Sequence, residues 1–267
     1  SAGYKHLYKR TTGSETVSSE LEQLINDMKR LKITAAAAVV EERLMDAQVK
    51  EPSYQNFLLD LMQYEINRRE EKQRLRFYKL ASFPEYKTLE DFDLSVQPSL
   101  SKKQLNQLKE LLWLEQAYNL ILLGPPGVGK TMLSIGLGIE AINRGYRVSF
   151  VQMDELIRLL KTEEISRNSK AKVKRMVGSD LVIIDDLMFM AIDRHEANLF
   201  FQLINKLYGQ TSIIITSNKG PEDWGDILGD PAITTAILDR LIHKSEVIHL
   251  TGDSYRLKHR QTIFGNN

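Results

Sequence analysis

The run Gly124-Pro125-Pro126-Gly127-Val128-Gly129-Lys130-Thr131 is where the chain most plainly carries chemistry. Its glycines, lysine and hydroxyl residue stand at the spacing of a phosphate-binding loop. Glycines let a backbone curl until successive N–H groups face phosphate oxygens. Lys130 is then placed to reach the β- and γ-phosphates of a nucleotide, and the Thr131 hydroxyl to bind Mg²⁺. An apolar run, Leu120–Leu123, enters the loop, and a helical stretch, Met132–Ile142, leaves it. The helix N-terminus adds positive dipole at the phosphates. The expected nucleotide contacts are Gly124, Pro125, Pro126, Gly127, Val128, Gly129, Lys130, Thr131 and Met132.

A second acidic element complements the loop. Leu181-Val182-Ile183-Ile184 reads as a buried strand that ends in Asp185-Asp186. Ligands in open α/β sheets bind beyond the carboxyl ends of the strands. Asp185 is therefore expected to share Mg²⁺ with Thr131, through water, and Asp186 to act as base or to orient a water. A further buried strand, Ile213–Thr216, leads into Ser217-Asn218, and Asn218 is placed to orient the attacking water.

The elements that must position these residues form a regular pattern. Five short apolar runs, Asn119–Leu123, Arg147–Val151, Asp180–Ile184, Ser212–Thr216 and Glu246–Leu250, alternate with helical stretches. Alternation of this kind implies a parallel sheet covered by helices on both faces. Ahead of it, residues 11 to about 80 carry helical periodicity. Ser18 or Ser19 is the expected first cap, and Val17, Leu21, Leu24, Ile25, Met28 and Leu31 the first buried face. Ala35–Met45 continues as helix, Glu51-Pro52-Ser53 breaks it, and Tyr54, Phe57, Leu58, Leu61 and Ile66 form the next apolar stripe. Residues 83–92 read as a docked, irregular linker, and a helix from Lys102 to about Ala117 buries Leu105, Leu108 and Leu112. The expected organisation is a helical domain at 1–81, a linker at 82–101 and an α/β domain at 102–267.

Composition narrows the classes of function. The chain has 267 residues, 42% hydrophobic and 27% charged, with a net charge of +1, so nucleic acid would be gripped by local patches only. Cysteine is absent, which excludes disulfides, thiolate nucleophiles and cysteine-ligated metals and suits a reducing compartment. The five histidines show no ligand-like spacing, and no apolar run is long enough to span a bilayer.

The phosphate loop with its paired prolines, Asp185-Asp186, Ile215-Thr216-Ser217-Asn218, Asp239-Arg240-Leu241 and Gly252-Asp253-Ser254-Tyr255-Arg256 occur in one order. In this the chain resembles the AAA+ ATPases of the initiator and helicase-loader group, and within them the IstB-type transposition helper ATPases of insertion sequences. The linker around Phe83 to Phe92 is similar to theirs. The resemblance implies a P-loop AAA+ sheet without a C-terminal helical lid, since little chain follows Arg256. It implies that Asn218 is a sensor, that Arg240 is an arginine finger acting on a neighbouring subunit's nucleotide, and that Arg256 senses the γ-phosphate. An Asp at 186, where many relatives carry Glu, implies slow or effector-stimulated hydrolysis.

The same resemblance implies a homo-oligomer with ATP at its interfaces, a duplex DNA target read with little sequence preference, a transposase partner and a bacterial cytoplasmic location. A helicase loader of the DnaC type is the alternative. A P-loop enzyme that acts without oligomerising is a third reading. The DNA-facing candidates are Arg158, Lys161, Arg167, Lys170, Lys172, Lys174 and Arg175, where the initiator group carries an inserted helical element. A second basic stretch runs through Arg68, Arg69 and Arg74.

Overall fold

A computed structural model describes residues 8–95, 97–187, 191–226 and 230–254. Two compact units divide between Gln73 and Arg74, inside one long helix. Among the described residues no helix is long and apolar enough to cross a membrane.

The first unit is helical: α1 (Tyr8–Arg30), α2 (Thr34–Ala37), α3 (Val40–Lys50) and the first part of α4 (Tyr54–Ala81). Its core is small, built from Met28, Ala36, Ala37, Val40 and Leu61, with Leu21, Ile25, Leu44 and Phe57 packed around them. The alanines let α2 lie close to its neighbours. The start of α2 is held by Glu65 of α4, whose buried carboxylate accepts the Ala36 N–H at 2.8 Å and the Arg69 Nε at 2.7 Å. Burial opposes ionisation of Glu65, but these donors together hold its carboxyl below the ordinary value.

The second unit contains α5 (Lys102–Lys109), α6 (Leu112–Glu115), β1 (Asn119–Leu123), α7 (Lys130–Asn143), β2 (Val148–Gln152), α8 (Met153–Lys161) and α9 (Arg167–Val177). It continues with β3 (Leu181–Asp185), α10 (Arg194–Leu207), β4 (Ser212–Ser217), α11 (Pro231–Ile242) and β5 (Ser245–His249). The strands form one parallel sheet in the order β2-β3-β4-β1-β5. Every residue of β1 and β3 is buried. Alternate residues serve opposite cores: Leu120, Leu122 and Ile183 face α7 and the linker, whereas Ile121, Leu123 and Ile184 face α8, α10 and α11. Residues 82–101, the expected linker, lie within the second unit and join the first of these cores through Leu89, Phe92 and Leu100.

Several local expectations are corrected. Among the described residues the first helix already includes Tyr8, so Ser18 and Ser19 lie within it and not at its start. Leu24 and Leu31 of the expected buried face are exposed, Leu31 at 71%. Ala35–Met45 is interrupted between Ala37 and Val40, where α2 ends in a tight turn. Tyr54, Leu58 and Ile66 are also exposed, because the small core behind α4 reaches only Phe57 and Leu61. The helix expected from Lys102 to Ala117 breaks at Leu111, which takes a left-handed φ of 60°. The break buries Leu111 and turns Leu112 outward, 53% exposed. Strands β2 and β3 begin one residue later than expected, which makes Asp185 the last strand residue.

Candidate functional site

Strand order brings the site together. β4 lies between β1 and β3, so its C-terminal end separates the glycine loop from Asp185. The loop follows β1 with left-handed glycines, Gly124 at φ 150°, Gly127 at 85° and Gly129 at 99°. Space as well as φ demands glycine here. A Cβ on Gly124 would stand 2.0 Å from the Leu250 carbonyl oxygen, and one on Gly127 would stand 2.2 Å from Ser254 Oγ. The chain leaving β5 thus lies directly against the loop, anchored where the Leu250 N–H donates to the Leu123 carbonyl at 2.7 Å. Sequence reasoning used Gly252 to Ser254 only as a marker of resemblance and missed this packing.

The linker holds the loop from another side. The buried Gln97 donates to the Val128 carbonyl at 2.8 Å. Its own carbonyl oxygen accepts from Ser99 Oγ, which in turn accepts the Thr251 N–H at 3.0 Å. Val128 is itself buried in the core, so only its backbone is available to a nucleotide, whereas Pro125 and Pro126 are exposed and Met132 is half-buried.

Lys130 is the first residue of α7 and is buried. Its Nζ donates to the carbonyls of Gly124 at 2.7 Å and Pro125 at 2.9 Å, which aims the cation back over the loop. Next to it, Thr131 Oγ1 lies 2.9 and 3.1 Å from the two carboxylate oxygens of Asp185. Thr216 of β4 completes the arrangement. Its hydroxyl donates to Asp185 Oδ1 at 2.6 Å and accepts the Asp186 N–H at 2.9 Å. Asp186 is exposed and has a φ of 56°, a strained conformation for a residue other than glycine. Burial holds the Asp185 carboxyl above the usual carboxylate range, against donation from Thr216 and Thr131, and the Asp186 charge adds to the rise. A hydroxyl and a carboxylate that converge in a buried site are hard oxygen donors, the set Mg²⁺ takes. Asn218 is exposed just beyond β4, at the same end of the sheet.

Arg240 lies at the other end. Asn119, the first residue of β1, donates to the Leu241 carbonyl at 3.0 Å and accepts the Ile213 N–H at 2.9 Å, which ties the end of α11 to the starts of β1 and β4. Arg240 is therefore separated from its own glycine loop by the length of β1, about 15 Å at the usual rise per residue. Arg256 and the expectation about a lid fall outside the described residues.

The basic candidates divide into two groups. Lys161 is paired with Glu196 at 2.8 Å, Lys172 with Glu155 at 2.7 Å, and Arg158 more loosely with Glu155 at 3.5 Å. Arg175 donates to the Leu80 carbonyl at 3.2 Å. Arg167, Lys170 and Lys174 are exposed, unpaired among the described residues, and spaced to share one face of α9. In the first unit, Arg69 is engaged by Glu65 and the Lys32 carbonyl, and Arg68 by Glu71. Arg74 is exposed.

Comparison with known proteins bears on this geometry. Residues 26–263 match a protein family described as IstB-like ATP binding protein. The chain belongs to that family. It is 41% identical over 242 residues to a protein of insertion sequence IS21 from Pseudomonas aeruginosa, described as ATP-binding. That alignment spans 91% of this chain and 90% of the relative. An IS21-like ATP-binding relative from Bacteroides fragilis is 39% identical over 245 residues, 92% of this chain and 93% of the relative. Among solved structures, AMPPCP-bound DnaA from Aquifex aeolicus matches with a TM-score of 0.52 and 25% identity, over 64% of this chain and 52% of that one. The IstB-like chain thus has the P-loop AAA+ fold, with the sheet and flanking helices described above.

Proposed function

We propose that this IstB-like chain is an ATPase that assembles on duplex DNA and regulates transposition by recruiting and stimulating a transposase. The observation that carries the reading is the convergence of Lys130, Thr131 and Asp185 beneath the glycine loop, in a chain whose near relatives belong to insertion sequences. Those relatives favour mobile DNA over a replicative helicase as the setting.

In this reading the loop N–H groups and the start of α7 cradle the phosphates of ATP. Lys130 exchanges two carbonyl acceptors for phosphate oxygens, so it is already desolvated and close to its task. Thr131 and Asp185 hold Mg²⁺, which supplies charge neutralisation at the β- and γ-phosphates. Thr216 orients the Asp185 carboxylate and fixes the backbone of Asp186. Asp186 and Asn218 then orient the attacking water from the exposed mouth of the site. Arg240, at the far end of the sheet, serves the nucleotide of a neighbouring protomer, and Arg256 senses the γ-phosphate. Assembly places the Arg167, Lys170 and Lys174 faces of successive protomers along the phosphate backbone of DNA.

The test is a titration of labelled duplex DNA with the full chain, with and without an ATP analogue and Mg²⁺, followed by capture of the transposase from the same insertion sequence. Nucleotide-dependent DNA binding and DNA-dependent capture are expected. Binding of DNA that ignores nucleotide and the Lys130→Ala change would overturn the reading.

A further inference from the structure

The way α10 holds Arg240 carries a further inference, which rests on the reading of Arg240 as a residue that acts across a subunit interface. Two arginines of the second unit fasten elements together through carboxylates, Arg147 with Asp180 at 2.7 Å and Arg194 with Asp230 at 3.0 Å, whereas Arg144 and Arg175 reach across to backbone carbonyls of Lys109, Glu110 and Leu80. Arg240 is held by neutral groups alone. Its Nε donates to Asn205 Oδ1 at 3.1 Å, one terminal nitrogen donates to the Ala236 carbonyl at 2.9 Å, and its guanidinium carbon sits 4.9 Å from the centroid of the Phe201 ring. Among the described residues no carboxylate pairs with it, although Asp239 is its neighbour in sequence.

We propose that Phe201 and Asn205 are positioning residues that orient Arg240 without cancelling its charge, so that it meets the γ-phosphate of the adjoining protomer's ATP as a full cation. The physical distinction is simple. An ion pair orients a guanidinium but neutralises its field, and the pair must be broken before a phosphate can be bound. An amide oxygen, a backbone carbonyl and an aromatic face orient the same group and leave the charge intact. Phe201 and Asn205 stand four residues apart on α10, as do Ala236 and Arg240 on α11, so the two helix faces meet as a preformed clamp. The clamp borders a cavity of about 140 Å³ lined by Asn119, Tyr208, Thr211 and His243, at the end of the sheet remote from the chain's own glycine loop.

The deciding variant is Asn205→Asp. It keeps an acceptor of the same shape and adds an ion pair, so a clamp that only fastens α10 to α11 would tolerate or gain from it. The experiment measures three quantities on the full chain with Mg²⁺ and duplex DNA: ATPase kcat and KM, binding of a fluorescent ATP analogue, and the protein concentration at the midpoint of ATP-analogue-dependent assembly. Asn205→Asp is expected to lower kcat and raise the assembly midpoint, each by about 10-fold, with thermal stability and analogue affinity kept. Phe201→Leu is expected to act in the same direction, and Phe201→Tyr to restore the parent values. Arg240→Ala is the control. If it lowers kcat and Asn205→Asp does not, the positioning proposal fails while the interface reading stands. If Arg240→Ala leaves kcat and assembly unchanged, both fail.

Discussion

Thr216→Val probes the centre of the site with a change of almost no volume. The valine fills the same space in a fully buried position, so no cavity opens. Two hydrogen bonds are lost: the donation to the Asp185 carboxylate at 2.6 Å, and the acceptance of the Asp186 N–H at 2.9 Å. A bond to a charged group contributes about 1.5–3 kcal/mol, and a stranded backbone N–H costs about 1–3 kcal/mol. The loss in ATP-free, Mg²⁺-free buffer is expected to be about 3 kcal/mol, a fall in Tm of roughly 6–12 °C for a unit of this size. The pH dependence has a definite sign. Burial raises the Asp185 carboxyl, so the stability its protonated form contributes is complete below the unfolded carboxyl's range and is lost as pH rises through the raised folded value. Thr216 limits that loss by favouring the charged form. The penalty of Thr216→Val should therefore grow as pH rises from below the unfolded carboxyl's range to above the raised folded value. The assay is calorimetric melting of parent and variant across that range. A fall in Tm below about 2 °C, or one that does not change with pH, would refute the reasoning.

Three other perturbations follow from the same geometry. Gly124→Ala should abolish nucleotide binding and destabilise the second unit, because its Cβ meets the Leu250 carbonyl oxygen at 2.0 Å, whereas Gly145→Ala meets nothing within 4 Å and should cost only about 1 kcal/mol of backbone strain; analogue binding and melting of both variants check this. Replacing Arg167, Lys170 and Lys174 with glutamine should flatten the salt dependence of DNA affinity by about 2–3 in log–log slope, while replacing Lys161 and Lys172 should change it little because Glu196 and Glu155 already hold them. Equal effects from the two sets would remove α9 from the DNA surface. Glu65→Gln should loosen the start of α2, seen as faster hydrogen exchange at Ala36 at neutral pH, with a cost of about 1–2 kcal/mol. Because the parent carboxyl is held low, its contribution is present above the unfolded value and disappears as pH falls through the folded one, so parent and variant should converge in acid.

The parts of the fold that were legible in sequence are those with a strict local pattern. The glycine loop, the strand that ends in Asp185 and the alternation of strands with helices each follow from spacing within a few residues. What was not legible depends on partners far away in the chain. Thr216 looks like any β-branched strand residue, and only the order β3-β4-β1 places it between Thr131 and Asp186. Gln97, Ser99 and Thr251 carry no motif, and Gly252 to Ser254 mark only a resemblance, yet these segments pack on the loop. The basic segment after β2 read as one patch, but Lys161 and Lys172 find acids on α10 and α8 that spacing cannot reveal. The helical first unit was misread in detail because its periodic apolar positions outnumber what its small core can bury, and Leu31, Tyr54 and Leu58 are left exposed.

The central claim is that ATP is used at sites shared between protomers, with Lys130 from one and Arg240 from the next. Its most direct measurement is DNA-stimulated ATP turnover by a mixture of Lys130→Ala and Arg240→Ala chains. Each variant alone is expected to be inactive. In the mixture, Arg240→Ala chains bind ATP and Lys130→Ala chains supply the arginine, so turnover should recover to a substantial fraction of the parent's. A mixture no more active than the two variants measured separately would contradict the account.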